Sequence, residues 1–332
     1  MKTKMLIIGG AGYIGTVVTK YFIKKNYKIT CLDNLIYQNS FSIEQFKKDE
    51  NYQFIFGDLR NEKVLKPLID KNDVIIILAG LVGDPITKKY PSASKEINYD
   101  GIKNLISLCN NKVNGKMIFV STCSNYGLSE TNELLDENSK LQPLSLYAKH
   151  KVEIESYILS LKSKTKISPT ILRFATAFGL SPRMRFDLTI NQFTKSIYNN
   201  EELEVFDSNT WRPYCHVNDF ALALEKVIEA EKKLTDFEVF NVGGDKNNYT
   251  KKQITELILR YLPNSNKVTF TNKKYDPRNY RVNFSKIKNK LDFKIQYGVD
   301  DGIEEIISFF NLNKKKIDNF NDKSYGNYSI NL

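Results

Sequence analysis

The sequence predicts an α/β protein built on a doubly wound parallel sheet. Three observations predict it. Short runs rich in Ile, Val and Phe alternate with helix-length amphipathic segments through the first half of the chain. Several runs are apolar on both faces, as strands are when helices cover both sides of a sheet. A glycine-rich turn follows the first run directly and opens a helix.

In chain order, strands are expected at 4–8, 28–32, 52–56, 73–78, 116–120 and 166–172, with helices near 13–25, 61–70, 92–110 and 145–162. After about residue 175 the pattern changes. A helix is expected at 185–198, then a polar loop with Trp211 and Pro213, then a helix over 217–232. A strand at 237–242 returns to the first sheet and closes in Asn241-Val242-Gly243-Gly244, which has turn chemistry. Helices near 250–261 and 300–311 flank a loop around 275–281. The last residues are rich in Asn, Lys, Asp and Ser and predict a loosely held tail. At 332 residues the chain suits two packed lobes rather than one core. The division expected is a dinucleotide-binding domain over 1–175 with 217–245 returning to it, a smaller C-terminal α/β lobe from 176–216 and 246–315, and a tail over 316–332.

Composition narrows the class of function. No apolar run approaches the roughly 20 residues of a bilayer span. The apolar segment 5–8 is too short for a signal-peptide core and runs into glycines, so a cytoplasmic protein without membrane contact is expected. The four cysteines, Cys31, Cys109, Cys123 and Cys215, form no CxxC pair, and there are two histidines. Reduced, buried thiols and no metal site follow. The formal charge of +11 comes from lysines spread among acids such as Glu201-Glu202 and Glu304-Glu305, with no nucleic-acid motif. A solvated basic surface is the reading, and its field would attract a diphosphate-bearing small molecule.

The segment Gly9-Gly10-Ala11-Gly12-Tyr13-Ile14-Gly15 satisfies both GxxGxxG and GxGxxG between strand and helix. Glycine is needed there because the turn is tight, the pyrophosphate must approach bare backbone, and the helix packs closely on the strand. Free N–H groups at the helix start then face phosphate. Asp33 ends the second strand, where a carboxylate accepts hydrogen bonds from the adenosine ribose and repels a 2′-phosphate. No arginine follows it closely, so NAD is expected over NADP. In Gly57-Asp58-Leu59-Arg60, Asp58 is placed either near the adenine amino group or as the N-cap of the next helix, two roles that can coexist.

Tyr147 and Lys151 stand four apart on one helix face. Tyr21/Lys25 and Tyr99/Lys103 share the spacing, so context must separate them. The Tyr147 helix follows the fifth strand, which ends in Ser121-Thr122-Cys123-Ser124, and strand C-termini are where open α/β sheets bind ligands. A phenol beside an ammonium and a positive nicotinamide would be favoured as phenolate and could take a hydroxyl proton. Thr122 would hydrogen-bond the oxygen as it becomes a carbonyl. Lys151 would also orient the nicotinamide ribose.

The glycine turn, Asp33, Thr122 and Tyr147-x-x-x-Lys151 together resemble the extended short-chain dehydrogenase/reductase superfamily, in particular its NAD-dependent sugar-nucleotide epimerase/dehydratase family. The resemblance runs from about residue 4 to 311 and includes Leu78-Ala79-Gly80, Asn98, Leu172-Arg173-Phe174 and Arg212-x-x-x-His216-Val217-x-Asp219. It implies a Rossmann-type fold with a substrate lobe, and catalysis by Thr122, Tyr147 and Lys151. NAD would be held by Gly9, Gly12, Tyr13, Ile14 and Gly15. Further cofactor contacts would come from Asp33, Asn34, Asp58, Leu59, Leu78, Ala79, Gly80, Asn98, Ser121, Tyr147 and Lys151. A nucleoside diphosphate sugar would meet Thr122, Thr176, Arg183, Arg185, Arg212 and Arg278, arginine's fork suiting the diphosphate. Phe178 and Trp211 are placed either against the base or sugar or in the core. The resemblance also implies a homodimer through a four-helix contact that includes the Tyr147 helix.

Two departures from the family pattern sharpen the expectation. Thr176 stands where family members often carry Asn. Cys123-Ser124 follows Thr122 where 4,6-dehydratases carry an Asp-Glu pair, which argues against dehydration. The reaction expected is epimerisation through a transient ketone at C4, with NAD regenerated in place. Net oxidation or reduction, as a 4-dehydrogenase or 4-ketoreductase, is the alternative. A non-catalytic NAD-binding protein is the third reading, and it has no need of the hydroxyl–Tyr–Lys set.

Overall fold

Alternation within the strands decides the layers. In β1 (Lys4–Ile8) Met5 and Ile7 join one apolar cluster, while Leu6 and Ile8 join another. Successive side chains of a strand point to opposite faces, so this strand is covered on both. The computed structural model describes residues 2–113, 115–129, 133–265, 267–272, 277–313 and 325–330.

From β1 the chain runs through β2 (Lys28–Asp33), β3 (Tyr52–Phe56), β4 (Val74–Ile77) and β5 (Lys116–Thr122). A short β6 (Leu134–Leu135) precedes β7 (Ser168–Phe174) and β8 (Thr176–Phe178). Then come β9 (Leu203–Phe206), β10 (Trp211–His216), β11 (Glu238–Val242), β12 (Asn248–Thr250), β13 (Val268–Thr271) and β14 (Arg281–Val282). Seven of these form the main parallel sheet in the order β11-β7-β5-β4-β1-β2-β3. The strand expected at 237–242 therefore does return to the first sheet, pairing β7 with Val242 opposite Phe174. Smaller sheets join β12-β10-β8, β13-β9 and β14-β6.

The helices expected in the first half form as α1 (Tyr13–Lys24), α2 (Glu62–Lys71) and, after α3 (Asp84–Lys89), α4 (Pro91–Lys95) and α5 (Ile102–Cys109). The single helix expected at 92–110 is interrupted between α4 and α5 by a π turn, Glu96–Gly101. Then come α6 (Leu146–Ser160), α7 (Thr189–Tyr198), α8 (Val217–Glu229) and the short α9 (Lys232–Thr235). The chain ends its described helices with α10 (Lys251–Tyr261), α11 (Ser285–Leu291) and α12 (Val299–Leu312). The helix expected from 185 starts only at Thr189, because Arg185 and Asp187 pair with each other ahead of it. Helices α1, α8 and α11 bury Val18, Phe22, Phe220, Leu224 and Ile287 on one face of the sheet. On the other, α2, α5 and α6 bury Leu65, Ile69, Leu105, Ile154 and Ile158.

Strand order reverses at β1, which has β2 on one side and β4 on the other. The carboxyl ends of strands around such a reversal form the crevice where open sheets bind ligands. All four cysteines are buried and unpaired, as expected. Much of the tail expected to be loosely held falls outside the described residues, but 325–330 contradict the expectation. Gly326 and Asn327 are buried, and the Phe186 N–H donates to the Tyr325 carbonyl at 2.7 Å. Tyr325 also packs against Phe41 in a tilted arrangement, with ring centroids 5.3 Å apart. Long-range partners hold a segment that local composition reads as free. No helix among the described residues is long and apolar enough to cross a membrane.

Candidate active site

A cleft of about 530 Å³ opens at the carboxyl ends of β1, β2, β4 and β5, within the range of small-molecule sites. Its floor is the glycine turn. Gly9 has φ +87°, and a Cβ there would meet the backbone N and Cα of Ala79 at 2.6 Å. A Cβ on Gly15 would meet Gly10 Cα at the same distance. These close approaches bring helix α1 hard against the turn, with its N-terminal backbone lining the cleft through Gly12, Tyr13 and Ile14. At the end of β2, Asp33 accepts from Ala11 N at 3.0 Å and Leu35 N at 2.8 Å. Burial raises its pKa while these N–H groups and the Arg183 charge pull it back.

Most residues expected at the cofactor line this cleft. Gly9, Gly12, Tyr13, Ile14, Gly15, Asp33, Asn34, Asp58 and Leu59 do so, as do Leu78, Ala79, Gly80 and Ser121. Asn98 does not. The π turn aims it at the loop after β4, where it accepts from Leu81 N at 2.7 Å and donates to Leu81 O at 2.9 Å. It shapes the wall at Gly80 from behind. Asp58 does not cap α2 either. Asn61 does, accepting from Lys63 N and Val64 N. The Asp58 carboxylate instead pairs with Arg60 at 2.9 Å and accepts from the Asn34 amide at 2.9 Å, which leaves it below its usual pKa.

Thr122, Tyr147 and Lys151 converge in the same cleft. Ser145 caps α6 by accepting from Ala148 N at 3.2 Å, which places Tyr147 in the first turn. One turn on, the buried Lys151 ammonium donates to Val120 O at 2.6 Å and lies 5.8 Å from the Tyr147 ring centroid. Desolvation lowers its pKa to about 7, against the partial support of Glu155. Burial raises the Tyr147 phenol well above its usual value, while Arg185 and the Thr122 hydroxyl pull it down. Within the chain itself the charge that acts most on this phenol is Arg185, and burial outweighs it.

Beneath these groups lies a buried polar net. Glu155 accepts from Ser121 Oγ at 2.5 Å, from Asn125 Nδ2 at 2.8 Å and from Arg173 Nη2 at 2.7 Å. It ties the ends of β5 and β7 to α6. Cys123 turns away from the cleft, is buried, and donates to Arg173 O.

The far wall carries Thr176 and the arginines. Arg278 pairs with Asp84 at 2.9 Å. Arg212 donates to the carbonyls of Trp211 and Arg278 and lies 5.4 Å from the Tyr280 ring centroid. Arg185 makes a two-pronged pair with Asp187, at 3.0 and 2.5 Å. Arg183 lines the cleft as well, packed over the Tyr37 ring at 5.0 Å. Phe178 is fully buried in the core, stacked edge-on against His216. The sequence reading missed Tyr37, Asp84, Ser124, Asp187, Tyr280 and Asn327, all of which line the cleft. Of these only Ser124 and Asp187 adjoin motifs that could have pointed to them.

Residues 5–243 match the model of the NAD dependent epimerase/dehydratase family. The chain belongs to that family. It is an NAD-dependent enzyme, and the glycine turn, Asp33 and the cleft fit that cofactor. It is 26% identical over 314 residues to a UDP-glucuronate 4-epimerase of Thermodesulfobacterium geofontis, covering 92% of this chain and 95% of that one. Its identity to a dTDP-D-glucose 4,6-dehydratase of Dictyostelium discoideum is 25% over 378 residues, with 98% and 85% covered. Among solved structures, UDP-glucuronic acid 4-epimerase from Bacillus cereus, in complex with UDP-glucuronic acid and NAD, superposes with a TM-score of 0.84 at 23% identity, covering 93% and 99% of the two chains. dTDP-glucose 4,6-dehydratase from Streptomyces venezuelae, with NAD and TYD bound, gives the same TM-score at 21% identity, covering 94% and 98%. Epimerases and dehydratases thus share this fold, and the residues of the cleft must separate them.

Proposed function

We propose that this enzyme epimerises a nucleoside diphosphate sugar through a transient ketone at C4, with Tyr147 as the proton acceptor. The observation that carries the reading is the surroundings of Tyr147. Its phenol shares the cleft with Thr122 and Lys151, and the position after Thr122 offers a buried thiol, Cys123, turned away from the cleft, and a hydroxyl, Ser124. Asp84 and Asp187, the acids on the facing wall, are each held by an arginine. A dehydratase needs a free acid and base there to expel water, and this wall has none to give among its described residues.

NAD, when bound, supplies the hydride acceptor and, in its oxidised form, a positive ring. Tyr147 takes the hydroxyl proton, and Thr122 hydrogen-bonds the oxygen as its bond order rises. Lys151, anchored on Val120 O, holds positive charge beside the phenolate that forms. Arg212 and Arg278 lie across the cleft from this set and are assigned to the diphosphate, leaving the sugar between.

The test is incubation of the NAD-loaded enzyme with UDP-, GDP-, dTDP- and CDP-sugars, with products resolved by NMR. Expected is conversion of one sugar nucleotide to its C4 epimer without net absorbance at 340 nm. Stoichiometric release of a keto sugar with accumulating NADH would replace the reading by net dehydrogenation. A 4-keto-6-deoxy product would replace it by dehydration.

A further inference from the structure

Arg183 is among the largest fully buried side chains of the molecule, 1% exposed, and its guanidinium is incompletely satisfied. Nη1 donates to Asn327 Oδ1 at 2.8 Å and Nη2 to Gly326 O at 3.2 Å. Both acceptors are neutral. Nε has no hydrogen-bond partner, and Asp187 and Asp33 act on the guanidinium only through their charge, without a hydrogen bond to it. Burial and the neighbouring Arg185 push its pKa down to about 10. A buried cation with no directly paired anion is costly, and a ligand anion would complete it.

The surroundings say which anion. The 179–183 loop is bolted to the first turn of α1: Tyr13 Oη donates to Gly179 O at 2.6 Å, and Ser181 Oγ donates to Tyr13 O at 2.7 Å. Ser181 Oγ also meets Thr16 Oγ1 at 3.0 Å and accepts from Arg183 N at 3.2 Å. Arg183 thus sits beside the helix start where a dinucleotide's pyrophosphate is drawn by free N–H groups. Its other neighbour is Tyr37, on the loop after β2, near enough to Asp33 for its charge to favour that carboxylate. Arg212 and Arg278 have other neighbours, Tyr280 and Asp84.

We infer that Arg183 binds the pyrophosphate of the dinucleotide rather than the substrate, and that the C-terminal segment 325–330 is the clamp that holds it there. Asn327 supplies the geometry. Its Oδ1 takes Arg183 Nη1 while its Nδ2 donates to Val82 O at 3.0 Å, on the loop after β4. Lys89 reaches the Tyr328 carbonyl at 3.3 Å, so the segment spans the cleft mouth from the 183–186 loop to α3. A cofactor beneath it leaves only when that span opens. The inference rests on NAD dependence and is independent of which reaction the sugar undergoes.

The experiment compares Arg183→Met and Asn327→Ala with the parent enzyme. It measures bound NAD per chain after desalting, the NAD release rate by fluorescence, and titrations with ADP-ribose, adenosine, NADP and, on NAD-saturated protein, UDP. Expected for Arg183→Met is NAD release at least tenfold faster, weaker ADP-ribose binding, and unchanged adenosine and UDP binding. Asn327→Ala should speed release in the same direction by a smaller factor. It removes a side chain at the cleft mouth, and it decides the matter should Arg183→Met fail to fold. NAD release unchanged in the folded variants would overturn the inference. So would a loss of UDP affinity instead, which returns Arg183 to the substrate, or a change confined to NADP, which moves it to the ribose. Failure of the epimerase reading would alter only the product and leave these rates as they are.

Discussion

The Lys151 ammonium donates to the Val120 carbonyl at 2.6 Å, a bond from the second turn of α6 back to the strand that ends in Thr122. One buried contact therefore fixes Lys151 and the strand end relative to each other. It also sets a dependence on pH. Burial lowers the Lys151 pKa from 10.5 to about 7. Between those values the unfolded chain binds a proton that the folded chain does not, so stability rises with pH across the window. The cost of the buried charge is fully present below about pH 7 and gone above about 10.5. In cofactor-stripped protein, Lys151→Met should raise the unfolding temperature relative to the parent at pH 6–7, and the gain should shrink toward pH 10. A gain that is constant with pH would place the lysine's pKa near its ordinary value.

Tyr147→Phe removes the proton acceptor but none of the packing. The expected loss in kcat is about 10²- to 10⁴-fold, with NAD content unchanged. Single-turnover absorbance at 340 nm should show reduction of the cofactor slowed by the same factor.

Gly9→Ala places a Cβ 2.6 Å from the Ala79 backbone at a φ of +87°. Backbone on both sides cannot yield, so the turn must open. The expected result is protein purified without NAD and less stable by about 1–3 kcal/mol, measured by denaturant unfolding.

Glu155→Gln leaves Arg173 charged and unpaired in a site where both side chains are 5% exposed or less. Breaking one side of such a pair costs about 3–5 kcal/mol. Urea unfolding should show this, and replacing both residues together by Gln and Met should recover part of it.

Arg278→Gln is expected to raise KM for the sugar nucleotide by about 10- to 100-fold, the value of a charge-assisted hydrogen bond, with kcat little changed. A fall in kcat at constant KM would mean that Arg278 acts on the reacting carbon.

What the sequence discloses and what it hides follow from range. The both-faced strands and the glycine turn are written locally, and the main sheet and the cleft floor match their reading closely. Tyr147 and Lys151 are legible because helical periodicity and the strand end before them fix both ends of the site. The place of Asn98 behind the cleft wall is not legible, because a π turn, invisible in periodicity, sets it against Leu81. Arg183 and Asn327 are 144 residues apart, and nothing local marks them as partners. Composition makes 325–330 look unheld for the same reason. The start of α7 slips by four residues because an ion pair, Arg185 with Asp187, competes with helix propensity.

The four thiols give the molecule a built-in clock. Cys31 lies under the glycine turn, close enough that a Cβ on Gly10 would touch its sulfur at 2.6 Å, and burial pushes its thiol up to about 12. Cys109, Cys123 and Cys215 are equally enclosed. A disulfide reagent should therefore stay colourless against the native enzyme and develop colour only as fast as the chain opens, so that local breathing at the cofactor turn can be timed separately from global collapse by which sulfur is labelled first.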